Sequence, residues 1–139
     1  MGQGISRRKF VVGTASLAAI GAVAACGGSE NGAESGEELV EAGTKLAALD
    51  EIPEGESELI TTEDGTEIII TRTSANDAKA FSAICTHKGC TVMAGSTPLM
   101  CPCHGSTFDP KTGENIGGPA PSPLPEVAIE IVDGEIRAM

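Results

Sequence analysis

Two short boxes of cysteine and histidine constrain the fold of this chain more than any other feature. The first box covers residues 85–90 (CTHKGC) and the second covers residues 101–106 (CPCHGS). Together they hold both histidines and four of the five cysteines of the 139-residue chain. Thiolates and imidazoles bind transition metals, and cysteines also pair as disulfides. The boxes therefore predict two neighbouring loops that share a metal centre, a disulfide framework, or both.

A Cys2His2 zinc site is compatible with the residue types, but the spacing is against it. Only one residue separates Cys85 from His87, which does not match the spacing of zinc-finger pairs. Cys103 and His104 are adjacent, which is awkward around a single tetrahedral ion. A framework of disulfides alone would leave both histidines and one cysteine without a role. A [2Fe–2S] centre held by two thiolates and two imidazoles is the third interpretation of the same residues.

The two boxes closely resemble those of the Rieske iron–sulfur protein family, from Cys85 to Ser106. The resemblance implies one Rieske-type [2Fe–2S] cluster per chain. It implies that Cys85 and Cys101 ligate one iron and that His87 and His104 ligate the other. Because imidazole is neutral, such centres lie at roughly −150 to +300 mV, against about −400 mV for plant-type ferredoxins.

Other residues in and after the boxes also match the family. The resemblance implies a disulfide between Cys90 and Cys103 that ties the two cluster loops together. It implies that the hydroxyl of Ser106 donates a hydrogen bond to a cluster sulfide, and an ordinary turn serine is the alternative. Residues 118–121 (GPAP) resemble the proline loop that covers the cluster in the quinol-oxidising branch of the family.

Two positions depart from the quinol-oxidising pattern. Phe108 stands where many high-potential members have a tyrosine whose hydroxyl donates to a ligand sulfur. Hydrogen bonds to sulfur stabilise the reduced state, so Phe108 predicts a potential in the middle of the Rieske range. Lys88 stands where respiratory members usually have leucine, and a cation does not fit an apolar quinol pocket. The alternative for Lys88 is a solvated loop lysine.

Residues 1–25 are typical of a twin-arginine signal peptide rather than of a folded segment. Residues 6–10 (SRRKF) carry the arginine pair, and residues 11–25 form an apolar run shorter than the ~20 residues of a membrane-spanning helix. Residues 23–26 (VAAC) resemble a bacterial lipobox, so Cys26 is the predicted lipidation site. These features predict an exported protein anchored by lipid to the outer face of the cytoplasmic membrane. An uncleaved signal anchor with an unmodified Cys26 is the alternative.

The segment after the signal peptide is acidic and poor in apolar residues. Residues 26–44 are predicted to be a lipidated flexible tether, because they are rich in Gly, Ser, Asn and Glu. All 20 acidic residues follow Cys26, against six basic residues, so the mature chain carries a net charge of −14. This charge excludes nucleic acid as a partner. The charge is compatible with docking to a basic face of an electron-transfer partner. The alternative is an acidic surface that only keeps the protein soluble.

Short strand signals separated by turns predict an all-β domain over residues 45–139. Its core has to be aliphatic, because the chain has no Trp or Tyr. Turns are predicted at residues 63–65, 76–77, 109–113 and 133–134. The predicted strands are residues 46–49, 57–62, 66–73, 79–84, 91–93, 99–100, 127–132 and 135–138. The family resemblance implies an antiparallel β-sandwich with a small cluster-binding loop subdomain.

These features together predict one-electron transfer by an exported, membrane-tethered protein that is not an enzyme by itself. Its redox partner could be a cytochrome, a cytochrome b-type subunit of a quinol:cytochrome reductase, or a molybdoenzyme of the arsenite-oxidase kind. The signal peptide and the Cys90/Cys103 pair oppose the ferredoxin component of a ring-hydroxylating oxygenase. A catalytic oxygenase would need a non-haem iron site, and no histidine remains to build one. The sequence does not choose between a stand-alone carrier and a complex subunit.

Overall fold

The computed structural model describes residues 39–95 and 97–139. Within these residues the chain forms short strands and a single 3-10 turn, Leu49–Glu51, which confirms the all-β prediction. The strands are β1 (Lys45–Ala48), β2 (Ser57–Thr61), β3 (Glu67–Ser74), β4 (Asp77–Ser82), β5 (Leu99–Met100), β6 (Thr107–Phe108), β7 (Asn115–Gly117), β8 (Ile129–Val132) and β9 (Glu135–Ala138).

The described strands make three antiparallel sheets of three strands each, in the orders β1-β9-β8, β2-β3-β4 and β5-β6-β7. The central strand β3 explains how they are layered. Its residues Ile68 and Ile70 belong to one hydrophobic core with β1 and β9, whereas Ile69 belongs to a second core with the cluster-box segments. Successive side chains of a strand point to opposite faces, so the sheet β2-β3-β4 is covered on both sides. That burial explains why β3 has an unbroken run of isoleucines rather than an alternation.

Two predicted turns have the conformation that their residues favour. Asp133 and Gly134 both have positive φ, at 51° and 78°, which is the two-residue hairpin turn that joins twisted antiparallel strands. The carboxylate of Asp109 accepts hydrogen bonds from the backbone N–H groups of Lys111 and Thr112, at 2.7 and 3.0 Å. These local hydrogen bonds make the 109–113 turn predictable from sequence.

The N-terminal edge of the sandwich is held by an exposed charge cluster. Lys45 on β1 lies 2.7 Å from one carboxylate oxygen of Glu135 on β9, and Arg137 lies 2.6 Å from the other. The hydrogen bonds from Lys45 and then from Arg137 lower the pKa of Glu135 below its usual value. The carboxylate thus links the first strand of the domain to its last.

The predicted strands are displaced at several positions. Residues 91–93 make only isolated bridges, Ile84 with Thr91 and Met93 with Met100. Strand β4 already begins at Asp77, where a turn is predicted, because it pairs directly with β3 in a tight hairpin. Strands β6 and β7 are missing from the prediction. At two and three residues they are too short to show a period, and their pairing depends on tertiary contacts.

The folded part reaches back into the predicted tether. Val40 is only 6% exposed and packs with the first core, so the ordered domain includes at least residues 39–44. The predicted signal peptide, the predicted lipidation site Cys26 and residues 27–38 lie outside the described residues. No helix in the described part of the chain is long and apolar enough to cross a membrane.

Candidate metal centre

The two boxes fold into the same turn. In box 1 the N–H of Cys85 donates to the carbonyl of Cys90 at 2.8 Å, and the N–H of Gly89 donates to the carbonyl of Cys85 at 2.9 Å. In box 2 the matching bonds run from Cys101 to the carbonyl of Ser106 at 2.8 Å and from Gly105 to that of Cys101 at 3.0 Å. The fifth position of each box is therefore locked by the same hydrogen bond.

A glycine occupies that fifth position in each box because the turn requires a positive φ there. Gly89 has φ +76° and Gly105 has φ +75°. This conformation is energetically unfavourable for any residue that has a Cβ atom. Box 1 follows β4, and box 2 connects β5 to β6. The shared glycine at position five of each six-residue box is the sequence signal of this equivalence.

The cysteine at the first position of each box points into the domain. Cys85 is 3% exposed and Cys101 is 1% exposed, and both belong to the second hydrophobic core. Both are free cysteines. Buried thiols of this kind are shielded from water and from other thiols unless a neighbouring sulfur reaches them. Both predicted thiolate ligands thus lie on the inner side of the boxes, in the same hydrophobic core.

The two histidines lie together on the outer side. The ring centroids of His87 and His104 are 4.6 Å apart, and the rings are nearly perpendicular at 86°. His87 is half-buried and His104 is exposed. The Nδ1 atom of His87 is buried and has no hydrogen-bond partner. A buried ring nitrogen without a partner is costly, and coordination of a metal would satisfy it.

A disulfide and a third loop fasten the boxes. Cys90 of box 1 is bonded to Cys103 of box 2, which confirms the pairing that the resemblance implied. The third loop is the proline loop, residues 118–125 (GPAPSPLP), which contains the predicted residues 118–121. Thr86 of box 1 donates through its hydroxyl to the carbonyl of Ser122 in this loop at 2.7 Å. The sequence gives no prediction of a role for Thr86, because no local pattern indicates this contact.

Ser106 is the contact between box 2 and the proline loop. Its side chain is fully buried, and its Oγ accepts a hydrogen bond from the N–H of Ala120 at 3.0 Å. A hydroxyl that accepts one bond still has its own hydrogen to donate. The Ser106 hydroxyl is therefore oriented by the loop and can serve as the predicted donor to a cluster sulfide.

The donor set fits a cluster better than a single ion. Among the described residues, the group of three whose metal-type ligand atoms all lie within 4.8 Å of one another is Cys90, Cys101 and Cys103, and it includes neither histidine. Cys90 and Cys103 are joined as a disulfide, so they do not offer thiolates. Around one zinc ion at ~2.0–2.3 Å all ligand atoms would lie within about 4.6 Å. The separation of buried thiols from surface imidazoles suits a centre with two metal ions, each with its own ligand type.

The sequence of the boxes and of the segment between them carries little charge. No acidic residue occurs between residues 83 and 108, although the chain has 20 acids, and Lys88 is the single Lys or Arg there. Lys88 is exposed. Phe108 is fully buried in the second core with Cys85 and Cys101. Phe108 therefore lies where its ring can cover the thiols but offers them no hydrogen-bond donor.

Comparisons with known proteins agree with this site. The family model of the Rieske [2Fe-2S] domain matches residues 43–128, which contain both boxes. The cytochrome b6-f complex iron-sulfur subunit of Parasynechococcus marenigrum (strain WH8102) is 39% identical over 101 residues, covering 70% of this chain. The match spans 56% of that relative, so the chain corresponds to little more than half of its length.

A second relative aligns over more of the chain. A cytochrome b6-f complex iron-sulfur subunit of Prochlorococcus marinus is 33% identical, covering 95% of this chain and 83% of the relative. Among solved structures, the cyanobacterial plasma membrane Rieske protein PetC3 from Synechocystis PCC 6803 matches with a TM-score of 0.59. It is 22% identical and covers 69% of this chain and 98% of that one. At this identity the structural match shows the fold alone.

Proposed function

The chain belongs to the Rieske [2Fe-2S] domain family, and we propose that it passes single electrons between redox partners. Its cofactor is a Rieske [2Fe–2S] cluster, which supplies a one-electron couple when bound. We assign its ligands as Cys85, His87, Cys101 and His104. The observation that carries the proposal is that one disulfide-linked pair of loops offers two buried free thiols and two adjacent surface imidazoles.

Each part of the site has a distinct task in this proposal. The buried thiols of Cys85 and Cys101 hold the cofactor on its protein side, where the hydrophobic core excludes water. His87 and His104 hold it on its solvent side, so this end of the domain is the one that a partner must approach. The hydroxyl of Ser106 is the donor that favours the more negative reduced state. The chain itself transforms no substrate.

We infer that the partner belongs to a membrane-bound cytochrome complex of the quinol:cytochrome reductase kind. The relatives that are 33–39% identical are named as cytochrome b6-f iron-sulfur subunits, and this supports the inference. The disulfide and the proline loop, both present here, support it further. A stand-alone carrier with a cytochrome as its partner uses the same surface. The two boxes themselves contain no acidic residue, so they add no negative charge of their own towards either partner.

We propose that the protein acts outside the cytoplasm, anchored to the outer face of the cytoplasmic membrane by a lipid on Cys26. The twin-arginine motif and the VAAC lipobox of residues 23–26 support this proposal. The Cys90–Cys103 disulfide supports it independently, because disulfides persist in oxidising compartments.

Metal analysis and electron paramagnetic resonance of the purified protein test the ligand set. We expect iron and acid-labile sulfide in equal amounts, and a spectrum of the reduced form that is typical of mixed cysteine and histidine ligation. Replacing Cys85 by Ser should abolish cluster binding. Replacing Cys26 by Ser is the matched control and should leave the cluster intact. Zinc in place of iron, or a spectrum of all-cysteine ligation, would contradict the assignment.

Purification from gently solubilised membranes tests the partner. A cytochrome b-type subunit that co-purifies with the chain would support the complex. A molybdenum enzyme in its place would show that the partner inference is wrong while leaving the electron-transfer proposal standing.

A further inference from the structure

One sulfur of the ligand set, that of Cys101, also belongs to a group of three neighbouring sulfurs. The Sγ atoms of Cys90, Cys101 and Cys103 all lie within 4.8 Å of one another. Cys90 and Cys103 form the disulfide, and Cys101 is a free cysteine. A free thiol beside a disulfide is the arrangement in which thiol–disulfide exchange takes place.

We propose that Cys101 exchanges with the Cys90–Cys103 disulfide whenever no cluster is bound, so that the site has a second, ligand-deficient disulfide pairing. The proposal rests on the proposed function in one respect, because it takes Cys101 to be a cluster ligand. A metal-bound Cys101 sulfur is occupied and cannot attack. The cluster therefore protects the native pairing of the boxes.

The exchange balances without any outside oxidant or reductant. The thiol of Cys101 releases its proton, and its sulfur forms a new bond to the Sγ of Cys90. The Cys90–Cys103 bond breaks, its electron pair leaves on the sulfur of Cys103, and that sulfur takes up a proton. One disulfide and one thiol exist before and after the step. The sulfur of Cys101 has to approach by less than about 2.8 Å to reach the ~2.05 Å of a disulfide.

The attack is directed at Cys90 rather than at Cys103. Only Pro102 separates Cys101 from Cys103, so a bond between them would close a very small ring around a residue of fixed φ. The product is therefore a Cys90–Cys101 disulfide with Cys103 as the free thiol. In that form the exposed Cys103 replaces the buried Cys101 as the thiol of box 2. The chain has then lost one of its buried cluster ligands.

Cys85 provides a matched control. It is also a free, buried cysteine and an assigned ligand, but it does not belong to the group of three neighbouring sulfurs. Replacing either Cys85 or Cys101 by Ser removes one ligand. Only Cys101→Ser also removes the sulfur that the exchange requires. The two variants therefore separate loss of the cluster from loss of the nucleophile.

The experiment maps the free thiols of the full-length chain in a Cys26→Ser background, where no further cysteine interferes. Four preparations are compared: the cluster-loaded background protein, the same protein stripped of iron by a chelator, and the Cys85→Ser and Cys101→Ser variants. Each is incubated anaerobically without added thiol until its labelling pattern is constant, and is then quenched in acid. Free thiols receive a first label, and disulfide sulfurs receive a second label after reduction.

Mass spectrometry then locates the first label. Cleavage after Lys88 and Lys111 yields one peptide with all three sulfurs, and fragmentation before Pro102 separates Cys101 from Cys103. In the stripped protein and in Cys85→Ser we expect Cys103 to carry the first label in at least about one chain in ten. This share corresponds to a free-energy difference of ~1.4 kcal/mol between the two disulfide pairings. In the loaded protein and in Cys101→Ser, Cys103 should carry only the second label.

Three results would overturn the proposal. The first is that Cys103 carries the first label in fewer than one chain in ten, both in the stripped protein and in Cys85→Ser. The second is first-labelled Cys103 in Cys101→Ser, which would make Cys85 the attacking thiol. The third is the first label on Cys90, which would show a Cys101–Cys103 bond of the kind formed by an unfolded chain. Failure of the cluster assignment would be seen separately, in the iron and sulfide content of the loaded protein.

Discussion

Replacing Gly118 by Ala tests whether close backbone packing holds the proline loop over the boxes. A Cβ at Gly118 would lie 2.5 Å from the Cα of Ser106, 2.8 Å from its nitrogen and 2.8 Å from the carbonyl oxygen of Gly105. Ordinary contacts of a Cβ begin at 3.4 Å, so the two backbones would have to separate by most of an ångström. All three neighbours are backbone atoms of box 2 and cannot rotate away.

The magnitude follows from two separate terms. Gly118 has φ +82°, and a residue with a Cβ pays ~1–2 kcal/mol in this conformation. The overlap with box 2 adds about 1–3 kcal/mol, the usual cost of overpacking. Gly134 is the matched control, because its φ is +78° and its Cβ would meet nothing within 4 Å. We therefore expect Gly134→Ala to cost ~1–2 kcal/mol and Gly118→Ala to cost ~2–5 kcal/mol.

The assay is unfolding of the cluster-loaded protein in urea, followed by cluster absorbance and by circular dichroism. With slopes of ~1–3 kcal/mol per molar, the overlap term lowers the apparent midpoint of Gly118→Ala by about 1 M relative to Gly134→Ala. Gly118→Ala should lose its cluster absorbance before its strands unfold, because the overlap displaces box 2 and not the sandwich. Equal midpoints for the two variants would refute the idea that this backbone contact positions the loop.

Other substitutions probe the potential, the pH dependence and the anchor. Phe108→Tyr should raise the reduction potential measured by protein-film voltammetry by roughly 45 mV, which corresponds to about 1 kcal/mol of added stability for the reduced state. An unchanged or lower potential would contradict the idea that Phe108 leaves a ligand sulfur without a hydrogen-bond donor. Ser106→Ala should lower the potential and leave the N–H of Ala120 without its acceptor. Because its cationic partners lower the pKa of Glu135, that carboxylate stabilises the fold above its usual pKa of 4.5, and this stabilisation is lost as the pH falls through the lowered pKa. The melting temperature of Glu135→Gln should therefore lie below that of the wild type at neutral pH, and the two should converge in acid. Mass spectrometry of the N-terminal peptide should find lipid on Cys26, and an unmodified Cys26 would remove the proposed anchor.

The sequence by itself was enough for the class of fold and the chemistry of the site, because both depend on local patterns. Alternating and β-branched runs predict short strands. The turn at residues 133–134 is predictable because Asp and Gly both accept a positive φ. The cofactor could be predicted from Cys85 to Ser106 because these residues resemble the ligand boxes of the Rieske family, whereas their residue types alone also allow zinc or a disulfide framework.

The tertiary structure decided how these parts are held together. Strands β6 and β7 exist only because box 2 and the segment after it pair across the site. The hydrogen bonds from Thr86 to Ser122 and from Ala120 to Ser106 join residues 36 and 14 positions apart, and no local pattern encodes them. The same holds for the approach of Cys101 to the disulfide. Such contacts depend on which loops the three sheets bring together, and that is settled by burial of the whole core rather than by any one segment.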